Sequence, residues 1–206
     1  MPQETNLNVS PYFDDFNEDK NFKRVLFKPG SPVQARELTQ LQTALQSQVD
    51  KLGQYGFNDG SRVVGGKVTI NTEYEFVKLT STSSLSAFVG NTITGGEAGV
   101  TATVLAAVAA TGGDPDTLFI KYDTGGTAFA TQLFINGETI TDTNSKTATL
   151  AASGSTGKGS KVDIDEGVYF ISGTMVYVAK QTLILDKYTN TPSYIIGLSV
   201  AETLVD

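Results

Sequence analysis

The sequence predicts a mainly β protein with one prominent N-terminal α-helix, an α+β chain that runs as an extended arm, a helix and then antiparallel β modules. Three observations carry that reading. Apolar side chains recur at helical spacing over several turns in one segment, residues 32–52. From residue 54 onward the apolar residues are largely β-branched or aromatic and come in short runs. Those runs are separated by Gly, Asn and Asp turn signals.

Residues 1–30 form the arm, with the core NLNVSPYFDDFNEDKNFKRVLFKPG bounded by Pro11 and Pro29. Its aromatics, Tyr12, Phe13, Phe16, Phe22 and Phe27, fit neither a helical nor a strand period. An apolar arm without periodicity cannot bury itself, so it is expected to lie in a groove of this protein or of a partner.

The helix is expected over residues 32–52. Ser31 is a good N-cap, Pro32 suits the first helical position and Gln34 completes an S-x-x-Q capping box. Leu38, Leu41, Leu45, Val49 and Leu52 form its apolar row, and Gly53 is expected to supply a left-handed C-cap. Such a helix spans about 30 Å at roughly 1.5 Å per residue. Its other positions, among them Gln40, Gln42, Gln46, Gln48, Thr39, Thr43 and Ser47, are polar but carry few charges. One reading has the apolar row covering the protein's own sheet. In the other, the helix packs against copies or partners, and Gln side chains hydrogen-bond across that interface without the desolvation penalty of charges. Leu38, Leu45 and Leu52 share a heptad position, but three heptads do not establish a coiled coil.

The β elements follow in order. Residues 62–70 (RVVGGKVTI) and 73–79 (EYEFVKL) read as a hairpin turning at Asn71 and Thr72, which makes 31–79 a helix-plus-hairpin anchoring region. Residues 80–160 are rich in Gly, Ala, Thr and Ser and read as a small inserted all-β module. Its candidate strands are 100–108, 118–122, 133–135, 138–141 and 147–150, with turns at 112–116, at Gly125-Gly126 and at Asn136-Gly137. The module ends in a Gly/Ser linker, 153–160 (SGSTGKGS). Residues 161–206 return to strands at 162–165, 168–172, 175–179, 182–186 and 194–200. Its final residues, AETLVD, carry no capping element, so a longer parent chain is expected to continue there.

Composition narrows the chemistry. The 206 residues include no Cys and no His. Thiol chemistry, disulfides, the usual zinc sites and histidine-activated nucleophiles are therefore excluded. Acids outnumber bases 22 to 15, for a net charge of −7, which argues against a nucleic-acid partner. No run reaches the roughly 18 apolar residues of a membrane span, and the N-terminus MPQETNLNVS has no secretory pattern. Membrane insertion, cofactors and metals are not expected.

Four motifs invite a functional reading, and each has a simpler one. The segment Gly154-Ser155-Thr156-Gly157-Lys158-Gly159-Ser160 resembles a phosphate-binding loop. However, Ala152 occupies the first glycine position, Gly159 stands where Ser or Thr is needed, and a strand follows instead of a helix. Asp14, Asp15, Glu18 and Asp19 lack the alternation and central glycine of a calcium loop. Asp163, Asp165 and Glu166 could supply a glycosidase carboxylate pair, yet alternation on an exposed strand gives the same pattern. Asn8-Val9-Ser10 is a glycosylation sequon by letter only. No catalytic residue is assigned, and the chain is not expected to be an enzyme.

The blocks VSPYFDDF and VLFKPGSPVQARELTQLQ, within residues 7–61, resemble the N-terminal portion of tail-associated virion structural proteins of contractile-tailed phages, especially cyanophages. These are grouped with baseplate and tail-fibre components. A second block, EGVYFISGTMVYVAKQTLILDKYTNTPSYIIGLSVAETLV, resembles the same family. The resemblance implies a structural role in the virion after synthesis in the host cytoplasm, anchored to other tail or baseplate proteins through the N-terminal part. A homo-oligomer is expected, a trimer favoured. The expected assembly interface is Tyr12, Phe13, Phe16, Leu38, Leu41, Leu45, Val49 and Leu52. Two competing functions remain open. One is a receptor- or glycan-binding tail-fibre module that reads through residues 80–160. The other is a polysaccharide depolymerase, which would need a carboxylate pair in a cleft.

Overall fold

A computed structural model describes residues 6–82, 84–97, 99–124 and 133–203; the turn expected at Gly125-Gly126 lies outside them. The chain is mainly β with one α-helix near its N-terminus, and its strands form two antiparallel sheets. The helix α1 is Ala35–Gly56. The strands are β1 (Ser61–Gly65), β2 (Val68–Ser81), β3 (Thr92–Gly95), β4 (Thr101–Val108), β5 (Thr117–Thr124), β6 (Thr139–Asp142), β7 (Thr147–Leu150), β8 (Thr156–Ile164), β9 (Gly167–Ile171), β10 (Thr174–Val178) and β11 (Gln181–Asp186). The chain divides into two compact units. The first takes in Met1–Val68, Ile164–Gln181 and Ile196–Asp206; the second takes in Thr69–Asp163 and Thr182–Ile195.

The second unit contains a closed barrel. Through Phe76–Lys78, β2 pairs with β5, and through Leu79–Ser81 it pairs with β7. The order β2-β5-β4-β3-β6-β7 therefore returns to β2, and no strand of the ring is left with an open edge. Alternation fills the interior. Ile140, Ala148 and Leu150 point in while the threonines between them face out. Val77, Ile93, Val104, Leu118 and Ile120 complete the core with Phe88 and Phe134. On the other face of β2 and β5, Tyr74 stacks on Phe119 at 4.6 Å, and Phe76 meets Tyr188 edge-on. β8 and β11 extend the sheet outward from β2.

The first unit holds the arm, α1 and the three-stranded sheet β1-β9-β10. β9 and β10 form a tight hairpin, because Ser172 and Gly173 both adopt positive φ (46° and 82°), the geometry that matches strand twist.

Several expected elements differ, each for a local reason. The helix starts at Ala35, three residues after Pro32. Gln34, in extended conformation, donates its N–H to Glu37 Oε2 at 3.0 Å, so the N-terminal box is Gln34/Glu37 and not Ser31/Gln34. Gly53 is interior to α1, which runs on to Gly56. Residues 62–79 are not a hairpin. The positive φ values fall at Gly65 and Gly66, so the chain turns there; β1 pairs with β9, and β2 passes straight through Asn71 and Thr72. Residues 153–160 are not a linker: β8 begins at Thr156, with Ser155 and Ser160 buried. Gly157 and Gly159 are small because an added Cβ would strike the Phe76 ring at 2.7 Å and the Lys187 carbonyl oxygen at 2.5 Å. Asn136-Gly137 does form a turn, but 133–135 is not a strand, and β6 pairs with β3 and β7. Residues 194–200 form no strand. Residues 80–160 are thus part of a unit that also takes in most of β2, β8 and β11.

Candidate functional site

The expected interface residues all lie in the first unit, and the structure places them by an inversion of the usual helical amphipathicity. A surface helix normally turns its apolar stripe inward. In α1 the buried positions are Ala44, Ser47, Asp50 and Gly53. The apolar row points out: Leu38 is 50% exposed, Leu45 55%, Val49 51% and Leu52 75%, while Leu41 is half-buried. Tyr55, one turn on from Leu52, is 95% exposed. Tyr55 was missed as an interface candidate, although its spacing of three from Leu52 continues the row.

The polar side can be buried because the arm and the sheet satisfy it. Thr43 donates its hydroxyl to Asp14, and Gln40 donates its amide to Asp15. Asp14 is itself buried and also accepts the Phe16 N–H at 3.1 Å. Ser47 donates to Glu18 Oε1 at 2.7 Å, with Lys51 3.2 Å from Oε2. The Ser47 hydrogen bond, and then Lys51, hold the Glu18 carboxyl below the usual carboxylate range. Gln46 donates to the Gly173 carbonyl at 3.1 Å. Asp50, 3% exposed, accepts from Gln54 at 2.8 and 3.0 Å and lies over the β9–β10 turn. An added Cβ on Gly173 would come within 2.4 Å of Asp50 Oδ1, and with φ at +82° only glycine suits that position. The acidic arm thus binds the helix's hydroxyl and amide face.

The remaining arm residues separate by burial. Tyr12 and Phe16 are half-buried, whereas Phe13 is exposed, as are Phe22, Leu26 and Phe27 farther along. The interface set is therefore brought onto one unit but is not uniformly presented: α1 offers a continuous row and the arm offers separate side chains. The first unit also has little core of its own. Among the buried hydrophobic residues described, Ala44, Tyr169 and Phe170 belong to it and all the others lie in the second unit. Phe170 is its centre, packed beneath Gly53 and 5.9 Å from the Phe57 ring.

The carboxylates considered for catalysis are engaged individually. Asp163 pairs with Lys161 at 2.8 Å and accepts from Thr182, and Asp165 lies 3.8 Å from Lys180. Among the described residues no group of three or more potential metal ligands comes together, and no helix is long and apolar enough to cross a membrane.

Residues 10–99 match the sequence profile of a domain of unknown function, DUF4815. No curated protein and no solved structure matches the chain. The similarity takes in most of the arm, all of α1 and the strands through β3, so it includes the helix that turns its apolar row outward.

Proposed function

We propose that this chain is a structural virion protein of a phage tail, a baseplate or fibre-anchoring subunit that joins its assembly through the arm and α1. The observation that carries the reading is the inverted helix. A monomer in water gains by burying leucines and exposing serine and aspartate, and this unit does the reverse. Burying each leucine contributes about 1.5–3 kcal/mol, so a neighbour covering this row would supply what the unit lacks. The likeness of residues 7–61 and of the block beginning at Glu166 to tail-associated virion proteins supports the setting.

The test uses tails purified from the phage that encodes the chain, analysed by mass spectrometry. Wild-type chain is expected among the tail proteins. A Leu38→Gln, Leu45→Gln, Leu52→Gln variant is expected to fold, since all three positions are at least half exposed, and to be missing from tails. Absence of the wild-type chain from tails, or full incorporation of the triple variant, would overturn the reading.

A further inference from the structure

On a seven-residue repeat, Leu38, Leu45 and Leu52 share one seam position of α1, and Leu41, Gln48 and Tyr55 share the other. Five of these six residues are exposed and Leu41 is half-buried. Opposite them, Ser47, Asp50 and Gly53 are already buried within the chain. The helix therefore presents a two-column seam over nearly its whole length. With Val49 beside it, the seam exposes a contiguous, largely apolar patch of the kind that marks an interaction surface.

We propose that this seam binds the same seam on further copies of this chain, with the helices parallel and in register, and that Gln48 sets the register. The proposal rests on the assembly reading above and adds to it the partner and the geometry. Two features select a copy. The seven-residue period is the one that helices in a left-handed supercoil share, and docking into an unrelated surface does not require it. The flanks are compatible with self-pairing. Glu37 and Lys51 line one side of the seam, with Ala44 between them already buried within the chain, and Gln42, Val49 and Gly56 line the other. In a parallel, in-register bundle Glu37 then faces Gln42 and Lys51 faces Gly56, so no like charges meet.

Gln48 decides orientation. It is the polar amide among leucines, and only one arrangement satisfies it. In register and parallel, Gln48 meets Gln48, and each amide N–H can donate to the neighbour's amide carbonyl. Antiparallel helices would set Gln48 against Leu45, leaving a desolvated amide without a partner. A single polar residue within an apolar seam fixes orientation and register in this way in other helical bundles.

The chain contains no cysteine, so introduced thiols report unambiguously. Full-length Leu38→Cys and Tyr55→Cys chains are mixed, oxidised, and their cross-linked peptides identified by mass spectrometry, beside sedimentation equilibrium of the wild type. The expected result is an oligomeric mass with 38–38 and 55–55 links. Leu45→Asp is expected to weaken association by about two orders of magnitude. Gln48→Leu is expected to tighten it while admitting 38–55 links. A monomeric wild type, or predominant 38–55 links with Gln48 in place, would overturn the proposal. A monomer that nevertheless enters tails would refute self-association and leave the tail reading standing. An in-register parallel oligomer of a chain absent from tails would keep the seam and overturn the tail reading.

Discussion

Gly53 offers a sharp test of how α1 is seated on its sheet, because two effects of known size oppose each other there. Replacing an interior helical glycine with alanine ordinarily stabilises by about 0.8–1 kcal/mol. At Gly53 the new Cβ would lie 2.3 and 2.6 Å from two carbons of the Phe170 ring. That ring is 1% exposed and packs beside Phe57, so it has little room to withdraw. Overpacking of this kind costs typically 1–3 kcal/mol, and the clash here is at the severe end. Gly53→Ala is expected to destabilise the first unit by about 1–2 kcal/mol net. Gly56→Ala is the control: it lies in the last turn of the same helix, nothing stands within 4 Å of its Cβ, and it should stabilise by a few tenths of a kcal/mol. Urea unfolding gives the two magnitudes, and amide hydrogen exchange across α1 shows that the loss is local. If Gly53→Ala matches or exceeds the stability of Gly56→Ala, the Gly53–Phe170 contact does not seat the helix.

Two further perturbations follow from the hydrogen bonds. The folded-state pKa of Glu18 is depressed, so the stability it contributes is present above the unfolded value and is lost as pH falls through the folded one. The arm is expected to loosen from α1 as pH falls through the lowered folded-state pKa of Glu18, read as faster amide exchange at residues 14–20, and Glu18→Gln should loosen it at neutral pH. Unchanged exchange in both would contradict the Ser47–Glu18–Lys51 contact. In the second unit, burial pushes the Asp142 carboxyl up, but the N–H groups of Lys146 and Asn144 and the amide of Asn91 outweigh it and leave the carboxyl below its usual value. Asp142→Ala removes the acceptor for all three and should lower the urea-unfolding midpoint of the barrel; an unchanged midpoint would mean that water replaces the carboxylate there.

The helix and its leucine row were legible because a 3.6-residue period needs no tertiary knowledge. Most strands were legible too, since Thr101–Val108, Thr117–Thr124 and Gly167–Ile171 are dense in β-branched and aromatic residues. Which side of the helix is buried was not legible. That depends on Asp14, Asp15 and Glu18 of the arm reaching the helix, contacts at sequence separations of 25 to 29. The glycines misled for a related reason. By sequence alone Gly53 suits a cap, and Gly157 and Gly159 a flexible linker, whereas each is small because a distant group occupies the space a side chain would fill. Residues 194–200 show the converse: β-prone composition cannot form a strand without a neighbouring strand to pair with.

The central claim is that the outward row of α1 is covered by another protein when the chain is at work. Hydroxyl-radical footprinting of purified tails, compared with the isolated chain diluted to monomer, tests it most directly. Tyr55 and Leu52 are the most exposed positions of the row in the chain by itself and should label readily there. In tails both should be protected, while Leu105 and Ile135 of the second unit keep the labelling they show alone. Tyr55 and Leu52 labelled equally in tails and in the monomer would contradict the account.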